Sequence, residues 1–215
     1  MNECSELKST LFFDSDGVLA RTARLVLRAP AHGDLMSYVD AFGSSNPLIA
    51  KQYRINEKLQ RLYWEGVMGE GSLYCSICAR ESGRFFGYCA VEDLGVRPFE
   101  IGVNLLAEYQ AQGFGPEAVA AFMTAFRQVA GDVAFVARIE AENANSQKMF
   151  RRLGFAPAGI GTFIIKDPAD LERFEQMRLD ELGGIPEGLK GLADEFDVEP
   201  RKLLSHLLVF ENRAG

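Results

Sequence analysis

Histidine is nearly missing from this sequence: His32 and His206 are the only two among 215 residues. A zinc centre therefore lacks ligands, because Cys75-Ser-Ile-Cys78 needs two further donors and neither histidine stands at ligand spacing. Cysteine is scarce too. Of Cys4, Cys75, Cys78 and Cys89, three fall in one predicted hairpin, a spacing that makes no disulfide framework. In a strand Cys75 and Cys78 point to opposite faces, so packing is their expected use. No apolar run approaches the ~20 residues that span a bilayer, and no signal-peptide pattern opens the chain, so the expected location is the cytoplasm. Positive charge is short, with 23 Lys and Arg against 30 Asp and Glu and a net charge of -7. A general nucleic-acid or anionic-membrane binder is thereby excluded, since phosphate contacts need concentrated Lys and Arg. An acidic surface tolerates an amine-bearing partner.

What is present is a globular composition, 47% hydrophobic, in a chain long enough to bury a sizeable core. No repeat or low-complexity linker divides it, which predicts one domain. The organising stretch runs from Phe99 to Phe155. A short apolar run, Ile101 to Leu106, leads into Gln110-Ala111-Gln112-Gly113-Phe114-Gly115, and then Val119, Phe122, Met123, Phe126 and Val129 recur at helical spacing. The pattern predicts strand, glycine loop, helix. Such a junction leaves the first helical amides without intrahelical partners and aligns their dipoles outward, which favours a phosphate or diphosphate group. Asp132 to Ile139 predicts a second strand. Asn143-Ala144-Asn145-Ser146 then opens a short helix with Met149, Phe150 and Leu153 on one side, closed by a left-handed Gly154 and the apolar Phe155.

Gln-x-x-Gly-x-Gly followed roughly thirty residues later by Asn-x-x-Ser and then Gly-Phe resembles the Gcn5-related N-acetyltransferase (GNAT) superfamily. Phe-Glu-Ile-Gly-Val, Gly-Phe-Gly-Pro-Glu-Ala and the Arg24-Leu-Val-Leu-Arg28 run resemble its ribosomal-protein-alanine acetyltransferase branch. The resemblance implies the α/β (α+β) acyl-CoA N-acyltransferase fold: a mixed, mostly antiparallel sheet with splayed central strands and flanking helices. It also implies acetyl-coenzyme A as donor with no metal, and an amine as acceptor. Ala111, Gln112, Gly113, Phe114 and Gly115 are then expected to hold the diphosphate through their amides, with Gln110 opening the motif. The backbone of Val103, Asn104 and Leu105 is expected to pair with the pantetheine arm, and Asn143 and Ser146 to stand by it. Many members carry a tyrosine general acid four residues after that serine. Here the position is Phe150, which cannot donate a proton.

Along the rest of the chain, residues 1–23 read as an extension with a β-hairpin over Leu11 to Ala20, ahead of an acetyltransferase domain over 24–215. Phe-Asp-Ser-Asp-Gly-Val-Leu also resembles the opening of haloacid-dehalogenase-like phosphohydrolases, in which Asp14 and Asp16 would be nucleophile and acid/base on a magnesium site. No matching downstream acidic pair follows. A helix is expected over about Gly33 to Phe42 with Leu35, Val39 and Phe42 inward, then one long helix from the Asn46 cap and Pro47 to about Glu65. In the superfamily these helices wall the acceptor site, where Tyr38, Tyr53, Tyr63 and Trp64 are candidates for lining or for core. Leu73 to Ala79 and Phe85 to Val91 predict an antiparallel hairpin. Ile160 to Lys166 predicts a strand, and Asp167-Pro168 a helix with Leu171, Phe174, Met177 and Leu182 inward, ended by Gly183-Gly184. A shorter helix with Leu189, Leu192, Ala193 and Phe196 inward and a last strand over about Lys202 to Phe210 complete the chain. The helical insertion over about 167–197 departs from the superfamily pattern; it either extends the acceptor site or makes a contact in a homodimer.

Transfer to an amine needs its neutral form, and with a pKa of about 10.4 for lysine or about 7.7 to 8.0 for an α-amine a base must take the proton. Glu100 is the first candidate, because period-two alternation sets it on one face with Gly102 and Asn104. Glu92 and Asp93 are alternatives at the neighbouring strand's end. Glu117 reads as a negative charge in the first helical turn. The expected function is N-acetylation of a primary amine, on a protein N-terminus or a small molecule. A catalytically silent coenzyme-A-binding module is the alternative, and the phosphohydrolase a remote one.

Overall fold

The computed structural model describes residues 9–44, 47–162, 165 and 167–213. These fall into two compact units, one ending at Phe135 and one over Val136–Arg213. Among them no helix is long and apolar enough to cross a membrane.

In the first unit five strands, β1 (Val18–Arg21), β2 (Leu25–Arg28), β3 (Leu73–Ala79), β4 (Phe85–Val91) and β5 (Phe99–Leu105), pair antiparallel in chain order. Their alternation divides the helices between two faces. On one lies α4 (Phe114–Ala130), whose Phe126 ring meets Phe99 edge-on at 4.7 Å. On the other lies α1 (Leu35–Gly43), whose Tyr38 stacks on Tyr88 at 4.7 Å. Gly87 lets β4 and β5 come close, since a Cβ there would sit 2.1 Å from the Asn104 carbonyl oxygen. Cys75 and Cys89 face each other across β3 and β4, both fully buried, and burial raises the Cys75 thiol well above its ordinary pKa.

Several expected elements take other bounds. The hairpin over Leu11 to Ala20 does not form: Ser9–Phe12 is a 3-10 turn that buries Phe12 on Phe126, and β1 pairs instead with β2 around Thr22. The Asp14 carboxylate accepts from the Asp16 and Val18 amides, so it closes a turn. Before α1, His32–Asp34 form a 3-10 turn, and Tyr38, Val39 and Ala41 are the buried positions, with Leu35 and Phe42 half-buried. The long second helix is two, α2 (Pro47–Ile55) and α3 (Glu57–Val67). Asn56 is extended there and its side chain accepts from the Lys58 and Leu59 amides, ending one helix and capping the next. The Asn46 cap lies outside the described residues. Val129 is exposed at the end of α4.

The second unit takes all but the first residue of β6 (Phe135–Ile139) and contains α5 (Ala144–Arg152), β7 (Ala156–Gly161), α6 (Pro168–Leu182), α7 (Glu187–Phe196) and β8 (Leu207–Asn212). The order is β6, β8, β7, with β7 and β8 antiparallel. The expected strand over Asp132 to Ile139 is shortened because Arg127 holds the Val133 carbonyl before it begins. The next strand ends at Gly161 rather than Lys166; Phe163, Ile164 and Lys166 lie outside the described residues. Pro200 starts a 3-10 turn through Leu204, which delays β8 to Leu207. Asp167 caps α6 as expected, and Gly183 ends it in the left-handed region at φ 67. Leu171 faces inward, but Met177 and Leu182 are exposed, and the other buried position is the carboxylate of Glu175. Arg201, Lys202 and Ser205 surround it at 3.0, 3.3 and 2.7 Å. In α7 Leu189, Ala193 and Phe196 are buried, with Phe196 edge-on to Phe210.

Candidate functional site

The loop between β5 and α4 is built from both of its shoulders. Ala107–Tyr109 make a 3-10 turn, and the Tyr109 and Phe114 rings both pack on Phe86 of β4, at 4.0 and 4.7 Å. The Gln110 side chain donates back to the Leu105 carbonyl at 3.0 Å, closing the loop onto the end of β5. Gln112 donates to the Glu108 carbonyl. Between these ties, Ala111 at φ 56 and Gly113 at φ 81 are left-handed. Glycine adopts that conformation without penalty, whereas alanine pays roughly 1–2 kcal/mol for it, so the loop holds a strained residue where a ligand is expected. Gly113 is the N-cap of α4 and offers no side-chain cap, and Ala111, Gln112 and Gly113 are exposed. The helix end thus presents amides and dipole to an anion from outside. Pro116 has no amide to add.

On β5, Phe99 and Ile101 are buried toward α4, and Glu100 and Asn104 lie half-buried on the opposite face with the exposed Gly102. The alternation expected for Glu100 is therefore present. Asn104 donates to the Tyr88 hydroxyl at 3.1 Å, and the Tyr63 hydroxyl donates to the same oxygen at 3.4 Å. Tyr38 completes the cluster through Ser76, which bonds Asp34, itself paired with Arg28 at 2.7 Å. Burial pushes the Tyr63 phenol up to about 12, with the charge of Glu92 adding to it, and raises Tyr74, Tyr88 and Tyr38 as well. At neutral pH these phenols stay protonated; they donate and cannot act as bases. Tyr38 is wholly core, Tyr53, Tyr63 and Trp64 half-buried. Asp93 accepts from the Gly95 amide in a turn, while Glu92 is exposed at the end of β4.

In the second unit Asn143 caps α5, accepting from the Ser146 amide at 3.1 Å. Phe150 is buried, edge-on to Phe155 at 4.9 Å. The sequence reading missed Gln147, whose buried amide donates to the Ala141 carbonyl and fixes α5 against the chain leaving β6. It also gave Arg24 no role at the loop, although the guanidinium lies 4.5 Å over the Phe114 ring.

A model of the acetyltransferase (GNAT) domain family matches residues 24–156. Among curated proteins none matches this chain. Solved structures share its fold at low identity. RimL, a ribosomal alpha-N-protein acetyltransferase in complex with coenzyme A, aligns with TM-score 0.61 and 14% identity over 92% of this chain and 98% of its own. A ribosomal-protein-alanine acetyltransferase from Vibrio fischeri gives 0.55 and 12% over 90% and 95%. A spermidine N-acetyltransferase chimera from Vibrio cholerae gives 0.59 and 11% over 89% and 96%.

Proposed function

Because the chain belongs to the GNAT acetyltransferase family, we propose that it carries the acetyl group of acetyl-coenzyme A to a primary amine, on a protein N-terminus or a small molecule. The observation that carries this reading is the open end of α4, where a glycine N-cap without a side-chain cap follows a left-handed, exposed loop. Amides of Ala111, Gln112, Gly113, Phe114 and Gly115 hold the diphosphate, Gln110 keeps the loop closed, and the main chain of Val103, Asn104 and Leu105 receives the pantetheine arm. Asn143, Ser146 and Phe150 belong to the same cosubstrate through the second motif.

In this reading the amine nitrogen bonds the acetyl carbon directly as the carbon–sulfur bond breaks. Glu100 takes the proton that the amine loses, with Glu92 the alternative base, and the thiolate, which Phe150 cannot protonate, is protonated by water, stabilised by backbone amides or helped by another group. Holding the two reactants together provides much of the acceleration. Both kinds of acceptor occur among the structural neighbours, ribosomal proteins for RimL and spermidine for the chimera. The helices over about 167–197 are then an insertion in a domain over 24–215 that works in the cytoplasm.

Calorimetry with coenzyme A, followed by thiol release from acetyl-coenzyme A with a panel of peptide N-termini and polyamines, tests the reading. Uptake with turnover on one acceptor class is expected. Uptake with no release on any acceptor would leave the silent binding module that Phe150 permits, and no uptake would end both.

A further inference from the structure

Arg24 lies in the turn between β1 and β2, far from the glycine loop in sequence, yet its guanidinium reaches three residues of the loop and helix junction. Nε and Nη2 approach Glu117 Oε2 at 2.7 and 2.5 Å, Nη1 donates to the Gln112 carbonyl at 3.3 Å, and the plane lies over the Phe114 ring. A Cβ on Gly113 would come 3.4 Å from Nη2. Glu117 is held at its other oxygen by the Thr22 hydroxyl and the Arg24 amide.

Two consequences follow from these contacts. A peptide unit is planar and trans, so its carbonyl and the next amide point in opposite directions. Fixing the Gln112 carbonyl on Arg24 therefore turns the Gly113 amide away from Arg24. The second consequence is electrostatic. Glu117 sits in the first turn of a helix read as binding a diphosphate, where a lone carboxylate would repel the ligand. Arg24 cancels that charge with a pair of bonds to one carboxylate, and a planar fork can do so while stacking on an aromatic ring and bonding a carbonyl.

We infer that Arg24 is a positioning residue for the diphosphate loop: it aims the Gly113 amide, masks Glu117, and so sets affinity for the nucleotide end of the cosubstrate. The inference rests on the acetyl-coenzyme A reading above. It separates the two ends of that molecule, because the pantetheine arm is read by β5 and not by this loop.

The test compares wild type, Arg24→Gln and Arg24→Lys by calorimetry with coenzyme A and by ligand-observed NMR with pantetheine, which has the arm but no diphosphate. Arg24→Gln should weaken coenzyme A by about tenfold or more, the scale of a lost charge-assisted contact, and leave pantetheine unchanged. Arg24→Lys should fall between, since an ammonium keeps charge but cannot stack and fork together. Should Arg24→Gln misfold, Arg24→Lys alone decides the matter. Wild-type affinity in the folded variant, or equal weakening of both ligands, overturns the inference. No coenzyme A binding by wild type would instead overturn the acetyltransferase reading, so the two failures are distinct.

Discussion

Glu100 is the residue to which the proposed reaction assigns the amine's proton. It shares a face of β5 with Asn104, whose amide joins the Tyr63 and Tyr88 hydroxyls. Burial raises the surrounding phenols further still above neutral pH, so they stay protonated and the proposed base is a carboxylate. Glu100→Gln is expected to lower kcat by about 10²-fold or more with coenzyme A affinity unchanged, measured by thiol release on a productive amine. If Glu92→Gln gives that loss and Glu100→Gln does not, the base is Glu92. Sequence alternation alone placed Glu100, because one strand decides which side each of its residues faces. Arg24 was invisible to the same reasoning, since its partner Glu117 is 93 residues away and nothing local in either segment marks the pair. Phe150 was recognised by its place in a motif, but its burial against Phe155 follows from tertiary packing.

Elements were legible where hydrophobic period and turn chemistry agree. β3 and β4 are short, nearly continuous apolar runs either side of a Gly83 turn, β5 begins on the alternation of Phe99 to Ile101, and α4 carries helical spacing after Gly113; all four form where expected. The break between α2 and α3 was hidden because Ile55-Asn56-Glu57 continues a helical pattern, and only the Asn56 bonds to Lys58 and Leu59 show that the chain restarts. Asn56→Ala should therefore cost about 1 kcal/mol of stability, read as a lower midpoint in urea, while a helix running through that position would gain from the change. The Asp-Ser-Asp-Gly cluster misled in the opposite sense. Its turn is real, but the apolar Phe12 before it packs on Phe126 instead of pairing as a strand.

At the scale of the whole molecule, composition and motifs identified the class of fold, and the extra helices of the second unit were readable as helices. What period could not show is that α6 turns a carboxylate inward. Glu175 is 2% exposed and ringed by Arg201, Lys202 and Ser205. Burial by itself would raise its pKa, but the bonds from Ser205, Arg201 and Lys202 outweigh that and lower it. A carboxylate with a depressed folded pKa contributes stability that is complete above its unfolded value of about 4.3 and lost as pH falls through the folded value. Glu175→Gln should thus unfold more readily at pH 7, by about 1–2 kcal/mol since Arg201 and Lys202 remain in reach of water, with the gap to wild type closing in acid. Urea titrations at pH 7 and below pH 4 check both parts; a gap independent of pH would contradict the ion-pair account.

The facing pair Cys75 and Cys89 gives the first unit a chemical clock. Fully buried in the closed sheet, these sulfurs meet a maleimide only when β3 and β4 part, so the rate at which they acquire label under native conditions counts how often that pairing comes undone. Ligand that tightens the unit slows the count, and a titration of labelling rate against acetyl-coenzyme A, whose acylated sulfur does not consume maleimide, would return an affinity without any acceptor being known.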